Sequence, residues 1–221
     1  MVVYARGGGL VMGDLDTHDL ACRRLSALAD ALVVSVDYRR APEHRFPAAH
    51  DDFSATARWV GQRIKSIVAP PHRLVLAGES AGASLAIGAL AAAPEGARFH
   101  ALVLIYPLLA PALDSPSAPD PRVFSRGEVP WYWRHYGPDP RPNDPRLHLN
   151  PDSARSANRI IVVIAGQDPM REEHEHLVQT LSAHGVACTA LRYPHAEHGF
   201  FRLPSTDTSL PAALAIAQEL R

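Results

Sequence analysis

The sequence predicts an α/β domain, with a mostly parallel sheet of about six strands and helices on both faces. Three observations carry this. The 221 residues are 47% apolar, enough to bury a sizeable core without a metal or disulfide. Short apolar runs rich in β-branched residues recur along the chain. Between most of them lie segments of helical length with apolar residues every three to four positions, and this alternation is the pattern of a parallel sheet covered on both sides.

In chain order, Val2–Ala5 reads as the first strand. Thr17–Ala29 follows as a helix, with Leu20, Leu25 and Leu28 spaced helically. Leu32–Asp37 is the next strand, and Asp51–Ile67 the next helix, carrying Phe53, Ala57, Val60 and Ile64. Arg73–Ala77 is a strand running straight into the alanine-rich helical segment Ser80–Ala93. Ala101–Tyr106, Ile160–Ala165 and Thr189–Tyr193 complete the strands. Met170–His184, with Leu177, Val178 and Leu181 on one face, and Leu210–Leu220 complete the helices. Residues 107–151 break the rhythm: 11 of the 20 prolines fall there, with no sustained period and the aromatic cluster Trp131, Tyr132, Trp133 and Tyr136. Such a segment inside a compact domain is usually functional, and we read it as a lid-like insertion within a single domain spanning 1–221.

Charge and composition exclude several classes of function. The 22 basic and 23 acidic side chains are spread along the chain, so no long-range field recruits nucleic acid or an anionic membrane. Cys22 and Cys188 are far apart and outside any CxxC pattern, as expected of reduced, partly buried thiols. No apolar run approaches a membrane span and Met1-Val2-Val3-Tyr4 has no basic n-region leading into a signal-peptide core, so with Met1 as the true start a cytoplasmic protein acting on small molecules is expected.

The chemistry concentrates at the carboxyl ends of the strands. Gly78-Glu79-Ser80-Ala81-Gly82 matches G-x-S-x-G. Three fixed positions recur by chance in roughly 7% of chains this long, so context decides, and here the motif sits between a strand and a helix. A serine hydroxyl needs a base to take its proton, and a third group to orient that base. Asp168 follows the fifth strand and His198 the sixth, in the order Ser, Asp, His and where loops of a parallel sheet converge. His195 is a rival base, and His174, His176 and His184 are others; His198 is preferred over His195. His174 and His176, at i,i+2 on a helix, point to different faces, which reads as a solvated helix surface. A His195/His198 metal pair lacks supporting ligands, so no metal is expected. Gly7-Gly8-Gly9 can bring backbone N–H groups close to a substrate oxyanion, with Ala81 N–H as a further donor, each such donor being worth roughly 3–4 kcal/mol. Neither GxGxxG nor a GK[ST] ending is present, so no phosphate-bearing cofactor is expected. Trp131, Trp133 and Phe200 are candidates for lining an acyl or alcohol pocket, or for the core.

These residues resemble the hormone-sensitive-lipase-like family of carboxylesterases, which has the α/β-hydrolase fold. The resemblance extends to Gly13-Asp14-Leu15-Asp16-Thr17-His18-Asp19, to Asp37-Tyr38-Arg39-Arg40-Ala41-Pro42-Glu43-His44 with Phe46-Pro47-Ala48, to Asp168-Pro169-Met170-Arg171-Glu172-Glu173, and to Tyr193-Pro194 leading into His198-Gly199-Phe200. It implies Ser80, Asp168 and His198 as a catalytic triad, Gly8, Gly9 and Ala81 as oxyanion donors, no cofactor, and hydrolysis of short-chain esters through an acyl-enzyme. Some members of the fold family act instead as ligand receptors; amide or lactone hydrolysis would use the same machinery. Two features depart from the family. Arg6 stands where the family's glycine motif begins with His, which would weaken the loop, replace its hydrogen bonds differently or put a fixed charge beside the site. The chain also begins inside the strand before the glycines, so two family strands and the N-terminal cap are expected to be missing. That leaves the Leu32–Tyr38 strand on an edge, as in a minimal enzyme, a homodimer hiding that edge, or a chain whose start lies further upstream.

Overall fold

The computed structural model describes residues 1–109, 125–137, 144–204 and 207–221. Its six strands, β1 (Val2–Ala5), β2 (Val33–Ser35), β3 (Val75–Glu79), β4 (Ala101–Ile105), β5 (Ile160–Ala165) and β6 (Cys188–Tyr193), form one sheet in the order β2-β1-β3-β4-β5-β6. Every neighbouring pair is parallel. The helices are α1 (Asp19–Ala29), α2 (Ala48–Ile67), α3 (Ala81–Ala91), α4 (Val129–Tyr136), α5 (Pro151–Ala154), α6 (Arg171–Ala183) and α7 (Ser209–Glu219). The expected α/β architecture is therefore the observed one, and the strand expected at an edge, β2, lies there, paired only with β1.

Alternation along the strands divides the core. Val3, Ala5, Leu76, Leu102, Leu104, Ile160 and Val162 pack under the face covered by α2, α3 and α6. Their neighbours Val2, Tyr4, Val75, Ala77, Val103, Ile161 and Val163 pack under α1 and α7. With both faces covered, β3, β4 and β5 are buried along their whole length, which is why these strands read as continuous apolar runs. β3 runs two residues past the expected end, because Gly78 and Glu79 continue the register against Leu104 and Ile105.

Two expectations need correction. The segment 107–151 holds α4, and α5 starts at its last residue, despite its prolines: Pro130 falls in the first turn of α4 and Pro151 in that of α5, where a missing N–H costs nothing. Val129, Trp133 and Tyr136 turn one face of α4 into the core. Residues 110–124 and 138–143 of the lid-like insertion lie outside the described residues. His174 and His176 do not share a solvated surface either. His176 is exposed, but His174 is fully buried, and its Nε2 is 2.8 Å from the Pro107 carbonyl. It lies three residues before Leu177, on the apolar face of α6.

A second buried histidine, His50 on α2, hydrogen-bonds through Nδ1 to the Tyr136 hydroxyl of α4 at 2.7 Å, and the Phe46 N–H donates to the Tyr136 carbonyl. Burial pushes His50 down to about 3 and lowers His174 in the same direction. Above about pH 6.5 both are neutral whether the chain is folded or unfolded. Below that, the unfolded chain takes up protons that the folded one refuses, so stability is present above the unfolded value and lost as pH falls toward the folded one. We predict that the unfolding free energy, measured by urea titration, already declines between about pH 6.5 and about pH 5, above the carboxylate range. Each histidine contributes a slope of up to about 1.4 kcal/mol per pH unit, and His50→Gln flattens the decline.

Candidate active site

The turn between β3 and α3 places Ser80 at φ 52°, ψ −119°, a conformation that costs an ordinary residue about 1–3 kcal/mol. The surrounding chain holds it there. The Ser80 N–H donates to the Ile105 carbonyl at 2.9 Å, and its carbonyl accepts from Ala83 and Leu108. The motif glycines are needed for backbone proximity: a Cβ on Gly78 would overlap the Gly82 carbonyl, and one on Gly82 would overlap the carbonyls of Ala5 and Arg6. Ser80 is thereby lifted out of the sheet toward the loops after β5 and β6.

Those loops bring the other two residues. Ser80 Oγ lies 2.8 Å from His198 Nε2, and His198 Nδ1 lies 2.6 Å from Asp168 Oδ2. Asp168 is fully buried and its Oδ1 accepts the Met170 N–H at 2.8 Å. Burial alone would raise its carboxyl, but the facing His198 ring, with its hydrogen bond and that of Met170, holds it below the usual carboxylate range. With Nδ1–H directed at the carboxylate, Nε2 is left as the acceptor for the serine proton. The rival base His195 is exposed, and only His198 joins this chain of hydrogen bonds.

The glycine loop after β1 faces the same serine. Gly8 (φ 113°) and Gly9 (φ 62°) take backbone conformations that favour glycine, and a Cβ on Gly7 would stand 3.3 Å from that of Ser80. The N–H groups of Gly8 and Gly9 donate to no protein acceptor among the described residues, and Ala81 opens α3, so its N–H has no intrahelical partner. Three backbone N–H groups near Ser80 are thus left without an acceptor among the described residues.

Arg6 makes hydrogen bonds of its own to the glycine loop and to Tyr38. Its side chain is fully buried, with Nη1 donating to the Met12 carbonyl at 3.0 Å, to the Gly7 carbonyl at 3.4 Å and to the Tyr38 hydroxyl at 3.1 Å. Tyr38 donates back to the Arg6 carbonyl at 2.9 Å, and its ring centroid is 4.2 Å from the guanidinium carbon. Arg6 Nη2 lies 3.6 Å from Asp37 Oδ1.

Sequence reasoning missed a buried cluster beneath the serine. Glu79 accepts hydrogen bonds from Tyr4 (2.8 Å) and Tyr106 (2.7 Å), with His18 Nε2 at 3.6 Å. Burial pushes the Glu79 carboxyl up, but His18, Tyr106 and Tyr4 outweigh it and hold it below its ordinary value. The Tyr106 ring packs against His198, centroids 4.9 Å apart, and its hydroxyl accepts the Phe201 N–H. Glu79 thus steadies the ring beside His198. Of the aromatic candidates, Trp133 and Phe200 are buried in the core and Trp131 is partly exposed. It is Tyr132 that lines the cavity, its ring lying where a Gly9 side chain would project.

Residues 2–202 match the profile of a family with the alpha/beta hydrolase fold. The chain belongs to that family. This α/β-hydrolase is 34% identical over 208 residues to "Esterase LipI" of Mycobacterium tuberculosis, covering 90% of this chain and 65% of that protein. It is 30% identical over 222 residues to "Gibberellin receptor GID1B" of Arabidopsis thaliana, covering 94% and 62%. Among solved structures, an esterase of Pyrobaculum calidifontis superposes with a TM-score of 0.85 at 34% identity, covering 99% of this chain and 75% of that one. The chain spans less than two thirds of the length of LipI.

Arg6→Met keeps bulk but removes every donor to Met12, Gly7 and Tyr38. We expect it to lower the unfolding free energy by about 1–3 kcal/mol and to speed amide exchange within residues 7–13 of this α/β-hydrolase, read by hydrogen-exchange mass spectrometry.

Proposed function

We propose that this chain is a serine carboxylesterase acting on short-chain esters. The observation that carries the reading is the unbroken line from Asp168 through His198 to Ser80, at 2.6 and 2.8 Å, ending beside three free backbone donors. Ser80 Oγ attacks the ester carbonyl while His198 Nε2 takes its proton, and Asp168 stabilises the imidazolium. The carbonyl oxygen becomes an oxyanion held by the N–H groups of Gly8, Gly9 and Ala81. On collapse, the alkoxide leaves with the proton from His198, giving the acyl-enzyme. Water, deprotonated by the same ring, then releases the acid and restores Ser80.

Cavity size supports short acyl groups. The space at Ser80 is about 300 Å³, at the small end for ligand pockets, and is bounded by Met12, Leu108 and Tyr132. Through α4, the proline-rich segment then serves as one wall of the pocket, a partial lid. The receptor reading draws on the similarity to GID1B. The complete serine, histidine and aspartate line favours catalysis, since ligand binding alone requires no activated hydroxyl.

The test is hydrolysis of p-nitrophenyl acetate, butyrate and octanoate by the purified chain and by Ser80→Ala. We expect turnover highest on acetate or butyrate and a loss of at least about 1,000-fold in the variant. Rapid stoichiometric labelling of Ser80 by an organophosphate separates esterase from receptor. Equal rates in the two proteins would refute the assignment.

A further inference from the structure

At the opposite end of the sheet, beside the amino ends of β3 and β4, lies a crevice of about 540 Å³ between α2, the end of α3 and the two linkers leading into these strands. Its volume is in the range of small-molecule sites. The floor is apolar, formed by Ala57, Ile64, Leu74, Ala89 and Phe99. The wall carries Arg58, Arg73, Arg98, His72 and His100, and among the described residues no aspartate or glutamate lines it. In a chain of net charge −1 this one-sided clustering is local.

These cations are not equally committed. Arg73 donates to the carbonyls of Leu220 and Arg221, and His100 Nε2 is 3.1 Å from the Leu220 carbonyl. Arg58 and Arg98 have no carboxylate partner among the described residues, whereas Arg23, Arg39, Arg146, Arg159 and Arg192 each hold one within 4 Å. The positive potential is felt locally: burial lowers His100, and the guanidinium groups of Arg73 and Arg159 lower it further.

We propose that this crevice is a second binding site, separate from Ser80, for an organic monoanion with an apolar body, namely the carboxylate of a medium-chain fatty acid. The tail covers the floor and the carboxylate meets Arg58 and Arg98, whose planar forks suit that group. A phosphate fits less well. It would leave the floor wet, and α3 ends here, presenting its carbonyl pole, which costs a phosphate dianion more than a carboxylate monoanion.

Octanoate titrated into the full chain by calorimetry tests this, with octanol and octyltrimethylammonium as probes of the same tail. We expect saturable octanoate binding and roughly tenfold weaker binding or none for the other two. The R58A/R98A double variant changes only exposed side chains, and it should weaken octanoate by roughly tenfold or more. Ala93→Trp, which fills the crevice from α3's end, should abolish binding while p-nitrophenyl acetate hydrolysis is retained. Octanol binding as tightly as octanoate, or wild-type octanoate affinity in either variant, would overturn the site. Binding that survives in both variants but is lost on organophosphate labelling of Ser80 would place octanoate in the catalytic pocket instead, leaving the esterase reading intact.

Discussion

The backbone of Gly82 lies so close to the carbonyls of Ala5 and Arg6 that no side chain fits between them, and this contact sets the distance between the first turn of α3 and the end of β1. Because β1 and β3 are adjacent parallel strands, their carboxyl ends emerge side by side. The glycine loop from one and the serine turn from the other then share a single small space. Widening that gap by one methyl group would move the loop's N–H groups away from Ser80, and reacting geometries of the kind we propose are sensitive to shifts of about 1 Å. The arrangement of Ser80, Gly8, Gly9 and Ala81 is in this sense a packing result before it is a chemical one.

Around that contact the protein maintains three buried charges, each at a cost in desolvation that its donors or partners must offset. Glu79 ties β3 to β1 through Tyr4 and to the turn after β4 through Tyr106. Asp168 fixes the His198 ring and is itself held by Met170. Arg6 clasps the glycine loop from below through two carbonyls and Tyr38. All three act on backbone or ring orientation, and the ion pair of Arg6 with the exposed carboxylate of Asp37 adds little. The result is a rigid polar layer beneath a small cavity.

Much of this was legible in the sequence because the signals are local. Strands and helices announce themselves by apolar period, and Ser80, Asp168 and His198 each follow a recognisable strand. What could not be read depends on pairing across long separations. Nothing near Arg6 in the chain points to Tyr38 as its partner, and Glu79 is simply the variable position of its motif until Tyr4 and Tyr106 converge on it. His174 was misjudged for a different reason. The i,i+2 spacing correctly sent the two histidines to different faces, but one of those faces carries Leu177 and Leu181 and is therefore the core side. Tyr132 was hidden because proline content masked the period of α4, and neighbours in a helix separate so sharply that Trp133 enters the core while Tyr132 reaches the cavity.

The left-handed backbone at Ser80 also narrows which amino acids could ever occupy that position. Threonine offers the same hydroxyl, but its branched Cβ is poorly tolerated at positive φ, while cysteine, unbranched, has the shape to follow serine's path. Mutational drift at this codon is therefore filtered by stereochemistry before reactivity is ever tried. Under the function we propose, a change of nucleophile at Ser80 would have to pass through a thiol rather than a secondary alcohol.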